Sequence, residues 1–187
     1  LEKVCDIVGL YLNPTDNALV LSVDEKTQIQ TFDRTHPNLQ LKPGQVERHT
    51  YDYEQHSTTS LYADLNILTD EVIGRVTQRH HALEFLDVLR QIDWEAPQDL
   101  QLYVILDSNS SHNTSEVKAW LAKNPRFKVH FTPTSASWLN EVDKWFGQLD
   151  RRELYRGNLT SVGESKPGIK KCIKVHNEKL ANPFRWN

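Results

Sequence analysis

Between Leu100 and Leu149 the sequence changes periodicity several times, and each change falls beside an acid or a turn residue. LQLYVILDSNSSH is a short apolar run that stops abruptly on Asp107. A helical pattern follows, then the strand-like KVHFTPT, then SASWLNEVDKWFGQL, an amphipathic segment carrying Asp143. Strand, helix, strand and helix in that order predict an α/β sheet with its acids at the strand ends. Upstream, NALVLSVDEKTQ repeats the pattern: ALVLSV is apolar on both faces, as in a central strand, and the run closes on Asp24. Carboxylates delivered by separate elements to one end of a sheet suit a divalent cation such as Mg²⁺, which takes a few carboxylates plus waters.

Size and charge narrow the class. A chain of 187 residues is expected to be a single domain, 1–187, burying roughly 70% of its unfolded surface. Charged residues at 25% and apolar ones at 38% describe a globule. The net charge of −3 excludes an overall basic footprint, so nucleic-acid contact would rest on local patches, at RFKVH around Arg126 and from Lys144 to Arg156. Two cysteines, Cys5 and Cys172, form no disulfide framework and suggest a reducing compartment. No apolar run approaches the roughly 18 residues of a membrane span, and no signal peptide opens the chain. With no methionine and Leu1 at its start, the chain is expected to be part of a longer reading frame.

Residues 1–16 read as short and mixed, with a turn at Pro14 and Asp16-Asn17. The strand from Ala18 to Glu25 is followed by an extended segment, TQIQTFDR. Residues 36–50, with two prolines and Pro43-Gly44, predict a loop. HSTTSLYADLNI and EVIGRVTQ flank Leu68-Thr69-Asp70 as a hairpin. A helix over 81–92 would bury Leu83, Leu86 and Leu89, with Phe85 and Ile92 less regular. The strand at 100–107 precedes a helix over about 114–122 with Val117, Trp120 and Leu121 inward, a strand at 128–132 and the helix after Ser137. The last segment, 158–187, is a helical tail whose front half is punctured by Gly163, Pro167 and Gly168. The expected fold is therefore α/β: a mixed sheet in which an antiparallel meander of three strands feeds parallel strands, flanked by helices. Functional sites in open α/β sheets lie at the carboxyl ends of strands, where Asp24 and Asp107 sit.

Six segments in order, VDEKTQIQ, HSTTSLYADLN, EVIGRVTQRHHALEFL, VILDSNSSH, HFTPTSASWLNEVDKWF and HNEKLANPFRW, resemble bacterial insertion-sequence transposases of the mariner-related superfamily. The resemblance runs from about residue 15 to 187. It implies an RNase H-like DDE/D catalytic domain that cleaves and transfers DNA strands with two Mg²⁺ or Mn²⁺ ions. By position it makes Asp24, Asp107 and Asp143 the catalytic, metal-binding carboxylates. It further implies transposon ends and target DNA as partners, a homodimer on DNA, no membrane and no small-molecule cofactor, and a bacterial cytoplasmic, nucleoid-associated setting. In the two-ion scheme Asp107 would bridge the metals while Asp24 and Asp143 each complete one.

The sequence departs from that family in four places. Ser108 follows the second carboxylate where Asn is usual. The third carboxylate is Asp143 where close bacterial relatives carry Glu. Pro167-Gly168 interrupts the late helix, and N-terminal helix-turn-helix modules have no room in this chain. These departures keep an alternative open, a catalytically inactive RNase H-like remnant that binds DNA only weakly.

Several candidates remain two-sided. Glu141 and Asp143 lie on opposite flanks of the Trp138/Val142/Trp145/Phe146/Leu149 face, and periodicity alone does not choose between them as third ligand. Asp143 shares its flank with Asn140, which would orient the carboxylate or a water; Glu141 shares its own with Lys144, an ordinary solvated i,i+3 pair. The 35 residues between Asp107 and Asp143 agree with the family's interval. His112 and Asn109 either touch substrate or cap the next helix. Candidate DNA contacts are His112, Asn140, Lys144, Arg151, Arg152 and Arg156, the basic ones being equally a solvated helix face. Trp138, Trp145 and Phe146 read as core, with Trp138 alternatively stacking on DNA. Neither His80-His81 nor His49 with His56 has a third ligand at zinc spacing.

Overall fold

In the computed structural model the described residues are 2–14, 16–34, 53–134, 136–151 and 162–182. The proline-containing segment 36–50 falls outside them. The elements are α1 (Glu2–Leu12), β1 (Ala18–Arg34), β2 (Tyr53–Asn66), β3 (Val72–Thr77), α2 (Ala82–Glu95), β4 (Gln101–Leu106), α3 (Ser115–Lys123), β5 (Phe127–Phe131), α4 (Val142–Leu149) and α5 (Val162–Lys179). They build a five-stranded sheet in the order β3-β2-β1-β4-β5. β1, β2 and β3 are antiparallel neighbours, whereas β4 and β5 run parallel to β1. The expected meander feeding parallel strands is thus the observed topology, and the strand before Glu25 and the extended segment after it are one long strand. A register shift between Lys26 and Ile29 interrupts the pairing of that strand just beyond Asp24.

β1 is central because it has apolar side chains on both faces: Val20 and Val23 are fully buried and Leu21 nearly so. On one face Val20, Ala63 and Ile105 pack against Ile7 and Tyr11 of α1, Trp145 and Phe146 of α4, and Ile169 of α5. On the other, Leu21, Val23 and Tyr62 pack against Phe85 and Leu89 of α2 and Val117 of α3. Two apolar layers therefore clamp the strand that carries Asp24.

Four expectations change. The N-terminal segment is a helix, because Val4, Ile7, Val8 and Tyr11 recur at helical spacing and that stripe joins the core. Leu83 points outward at 68% exposure, while Phe85, Leu86, Val88, Leu89 and Ile92 form the buried stripe of α2. α5 runs continuously through Pro167. Interior proline costs about 3 kcal/mol, and the contacts of Ile169, Cys172 and Ile173 with the core offset it. Gly74 on β3 admits this helix, since a Cβ there would run into the Ile173 side chain. Trp138 is 62% exposed, outside the core that holds Trp145 and Phe146.

The C-terminal half of α5 also fastens the β2–β3 turn. His176 Nε2 lies 2.7 Å from the carbonyl oxygen of Asp70, itself in the left-handed region at φ 59°. Asn177 donates to Val72 O and accepts from Val72 N, both at 2.9 Å, closing the outer edge of β3. Among the described residues no helix is long and apolar enough to cross a membrane.

Candidate active site

Parallel pairing of β1 with β4 sets Ser22 beside Ile105. Continuing that register by two residues brings Asp24 level with Asp107 on the same face. Asp107 follows the last residue of β4, but Asp24 lies within β1, which runs on to Arg34, and so does not end its strand as the sequence suggested. α4 lies across that face, with Val142, Trp145 and Phe146 in the same apolar layer as Val20 and Ile105. Asp143, in the first turn of α4, completes the group. Burial and then the negative charges of Asp107, Asp143 and Glu25 push the Asp24 carboxyl up to about 7, against the lowering effect of a bond from the Glu25 N–H. Burial and Asp107 raise Asp143 as well, with Lys26 opposing. The three carboxylates thus feel one another's charge, and an all-oxygen donor set of this kind fits a hard divalent cation.

Each acid is held differently. Asp24 Oδ1 accepts from Glu25 N at 2.7 Å, and its Oδ2 accepts from Asn140 Nδ2 at 3.0 Å. Asn140 is fully buried. It also donates to Val23 O at 3.2 Å and accepts from the Ser22 hydroxyl. Ser22 Oγ in turn accepts from Val142 N at 3.0 Å and so supplies the cap that Glu141 does not give α4. Asn140 therefore orients the first carboxylate, where the sequence paired it with the third.

Asp107 Oδ1 accepts from Asn109 N at 3.2 Å and lies 2.9 Å from His112 Nδ1. The hydrogen bond from His112 is the main cause of a lowered Asp107 pKa, ahead of the opposing effect of burial. Among the described residues no donor reaches Oδ2. His112 is buried, and its Nε2 lies 3.0 Å from Glu25 Oε2. Burial disfavours the imidazolium, but the two carboxylates outweigh it and hold the His112 pKa at about 9. Asn109 Nδ2 donates to Glu25 Oε1 at 2.6 Å, while its own oxygen caps the short 3₁₀ turn at Ser111 N. Thr114 caps α3. Ser108, at the position where Asn is usual, donates to Thr132 O at 2.8 Å and joins the ends of β4 and β5.

Glu25, Asp107 and His112 are also the described residues whose ligand atoms crowd within 4.8 Å of one another. Both ring nitrogens of His112 already face a carboxylate, so this trio is a charge-paired network. Asp24, raised in part by Asp107 and Asp143, and Asp143, raised in part by Asp107, locate the uncompensated negative charge on the aspartate side instead.

Of the candidate DNA contacts, His112 and Asn140 have at most 1% of their surface exposed and present no side chain to a duplex. Lys144 Nζ pairs with Glu141 Oε2 at 2.6 Å; the Glu141 side chain is buried, so this pair is only half solvated. Arg151 is exposed at the end of α4, and Arg152 and Arg156 lie outside the described residues. Arg126 bonds to Gln98 and Pro97 beside the start of β5, at the other end of the sheet from the acids. Glu25 and Lys26 were not singled out in the sequence. Lys26, two residues beyond Asp24, pairs with Asp150 at 2.8 Å, and its positive charge acts against the elevation of Asp143.

Residues 20–164 match the family model described as DDE superfamily endonuclease. An uncharacterized 39 kDa protein of insertion element IS630 from Shigella sonnei is 27% identical over 65 residues, 35% of this chain and 19% of that protein. Mos1 in its strand transfer complex superimposes with a TM-score of 0.67 at 14% identity, over 92% of this chain and 52% of its own. The catalytic domain of Mos1 mariner transposase gives 0.63 at 13% identity, covering 92% and 78%. The HTLV-2 integrase catalytic core in complex with magnesium gives 0.52 at 13%, covering 87% and 88%. The chain thus spans about half of the Mos1 transposase and about a fifth of the IS630 protein. At these identities the structural likeness establishes the fold, that of the RNase H-like transposase and integrase catalytic domains. The family match over residues 20–164 establishes the rest: this chain belongs to the DDE superfamily endonucleases.

Proposed function

We propose that this domain cleaves and joins DNA strands at transposon ends, using two divalent ions held by Asp24, Asp107 and Asp143. The observation that carries this reading is the register of β1 with β4, which sets two aspartates side by side under the first turn of α4. Bound divalent cations supply activation of the attacking hydroxyl and stabilisation of the leaving oxygen. The protein's own part is positional. Asn140 and the Glu25 N–H fix both oxygens of Asp24; Asn109 N and His112 hold Oδ1 of Asp107. Asp143 is carried by a helix whose first turn is tied to β1 through Ser22.

DNA would approach over Trp138, Lys144 and Arg151, which are exposed around α4, with Arg152 and Arg156 continuing the basic run. Mos1 transposase solved as a paired-end complex with the left transposon end and as a strand transfer complex supports transposon-end DNA as substrate; a homodimer on that DNA is the working unit of the same proposal. The test is nicking and strand transfer on a labelled transposon-end duplex with Mg²⁺ or Mn²⁺. Chelator-sensitive cleavage lost in Asp24→Asn and Asp107→Asn supports the reading. Wild-type protein that binds Mn²⁺ and DNA yet never cuts would favour the inactive remnant instead.

A further inference from the structure

Glu25 is a buried carboxylate on the wrong side of its strand. Alternation sends its side chain opposite to that of Asp24, onto the face of β1 that packs against α2, where only 3% of it is exposed. It pairs in register with Tyr62, whose ring lies 6.3 Å from Phe85. A charge in that apolar layer costs several kcal/mol unless matched. Its match is His112, whose ring packs on Phe85 with centroids 4.3 Å apart. Among the described residues neither Glu25 Oε2 nor His112 Nε2 has an aligned hydrogen bond; they face each other at 3.0 Å as an ion pair. The opposite ring nitrogen lies 2.9 Å from Asp107 Oδ1.

We propose that Glu25 and His112 form a positioning relay for Asp107, in which Glu25 sets the ring and the ring sets the carboxylate, leaving Oδ2 as its metal-facing oxygen. Three features support it. The ring cannot rotate about its contacts, because Phe85 covers it and a carboxylate stands at each nitrogen. His112 Nδ1 lies 2.9 Å from Oδ1 and 3.4 Å from the main-chain oxygen of Asp107, and Asn109 N donates to Oδ1, so both groups crowd that oxygen and neither crowds Oδ2. Asn109 joins both ends of the relay, donating to Glu25 through its side chain and to Asp107 through its backbone. Groups of this kind, one shell out from a metal, commonly change its affinity 10- to 100-fold when removed. This inference rests on Asp107 being a metal ligand, so the experiment separates the two.

Mn²⁺ affinity of the 187-residue chain is measured by calorimetry and EPR for wild type, Asp107→Ala, His112→Ala, His112→Asn and Glu25→Gln, with circular dichroism confirming the fold. His112→Ala is expected to weaken Mn²⁺ about 10- to 100-fold. His112→Asn, whose amide stands where Nδ1 stood, should recover most of that loss, and Glu25→Gln should fall between. A folded His112→Ala binding Mn²⁺ as tightly as wild type overturns the relay. So does a nitrogen coupling to Mn²⁺ that disappears with His112, since the ring would then be a ligand. Should His112→Ala not fold, His112→Asn decides: affinity no better than that of Asp107→Ala overturns the proposal. If Asp107→Ala itself binds as wild type, the ligand assignment of Asp107 fails, and the relay with it.

Discussion

Asn140 donates to Asp24 across 3.0 Å, and this bond joins the entry to α4 to the middle of β1. The same side chain holds Val23 O and the Ser22 hydroxyl, and Ser22 caps the helix that carries Asp143. One fully buried amide thus fixes the spacing of the first and third acids. Movement of α4 relative to the sheet must break it.

Asn140→Ala should therefore cost stability and function together. It leaves Val23 O and the Ser22 hydroxyl without their buried partner, at about 1 to 3 kcal/mol for each group not rescued by water. Urea denaturation should show a lower midpoint at an unchanged slope. Mn²⁺ affinity should fall with it, because Asp24 loses its orienting donor. Wild-type stability in that variant would mean that the amide is not what ties α4 to β1.

Asp107→Asn removes one negative charge and almost no volume. Metal-dependent nicking should drop at least about 1000-fold, roughly 4 kcal/mol of barrier, with an unchanged circular dichroism spectrum. Cutting at the wild-type rate would take Asp107 out of the reaction.

Asp64 gives the clearest pH signature away from the site. It is buried on β2 opposite Ile73, and burial, then the charge of Glu95, raise its pKa well above the usual carboxylate range despite a bond from the Ile73 backbone. Between its unfolded and folded pKa values the folded state holds a proton that the unfolded chain has released. Stability is therefore lost as pH rises from about 4 toward the folded pKa, and is not gained. Asp64→Asn resembles the protonated form and should escape this loss. In urea melts its advantage over wild type should widen from pH 5 to pH 8; parallel curves would show that Asp64 does not titrate abnormally.

The neighbouring positions of Asp24 and Asp107 were legible because an apolar run halts on Asp twice, although β1 itself continues past Asp24 to Arg34. The meander was legible from its turn, and α1 would have been, since Val4, Ile7, Val8 and Tyr11 already carried the helical period. What holds the acids was not legible. Glu25 looks like the polar flank of a strand until His112 arrives from a loop to cover it, and Asn109 reaches it across 84 residues. Asn140 sits one turn from Asp143 along the chain, yet its amide turns to Asp24, 116 residues away. Periodicity reports which face a residue occupies. It says nothing about which distant polar atom completes its hydrogen bonds.

The domain alone should bind DNA weakly and without end specificity. Its net charge is −3, His112 and Asn140 are buried, and Lys144 is partly neutralised by Glu141. Affinity should fall steeply between 50 and 200 mM salt in a filter-binding or anisotropy titration, as phosphate contacts do. Nanomolar, sequence-selective binding at physiological salt would require a recognition surface that these residues do not supply.

The last prediction separates Glu141 from Asp143. Both follow Asn140, but their surroundings differ. Asp143 is exposed at the start of α4, raised by burial and by Asp107, and eased by Lys26. Glu141 is buried, pairs with Lys144 at 2.6 Å, and adds its charge to the elevation of Tyr11, whose hydroxyl donates to Leu139 O at 2.6 Å. One acid faces the other carboxylates; the other faces the packing between α1 and α4. Asp143→Ala should eliminate metal-dependent cleavage with little change in melting temperature. Glu141→Ala should instead lower stability modestly, by up to about 1 kcal/mol because its partner Lys144 is itself solvated, and change the cleavage rate by less than about tenfold, or 1.4 kcal/mol. Asp143→Glu should retain cleavage, because an exposed first-turn position has room for one more methylene. Cleavage rates and urea midpoints measured on the same three variants decide it. If Glu141→Ala is inactive while Asp143→Ala cuts normally, the third carboxylate is Glu141, and α4 must turn from the orientation seen here when metal binds.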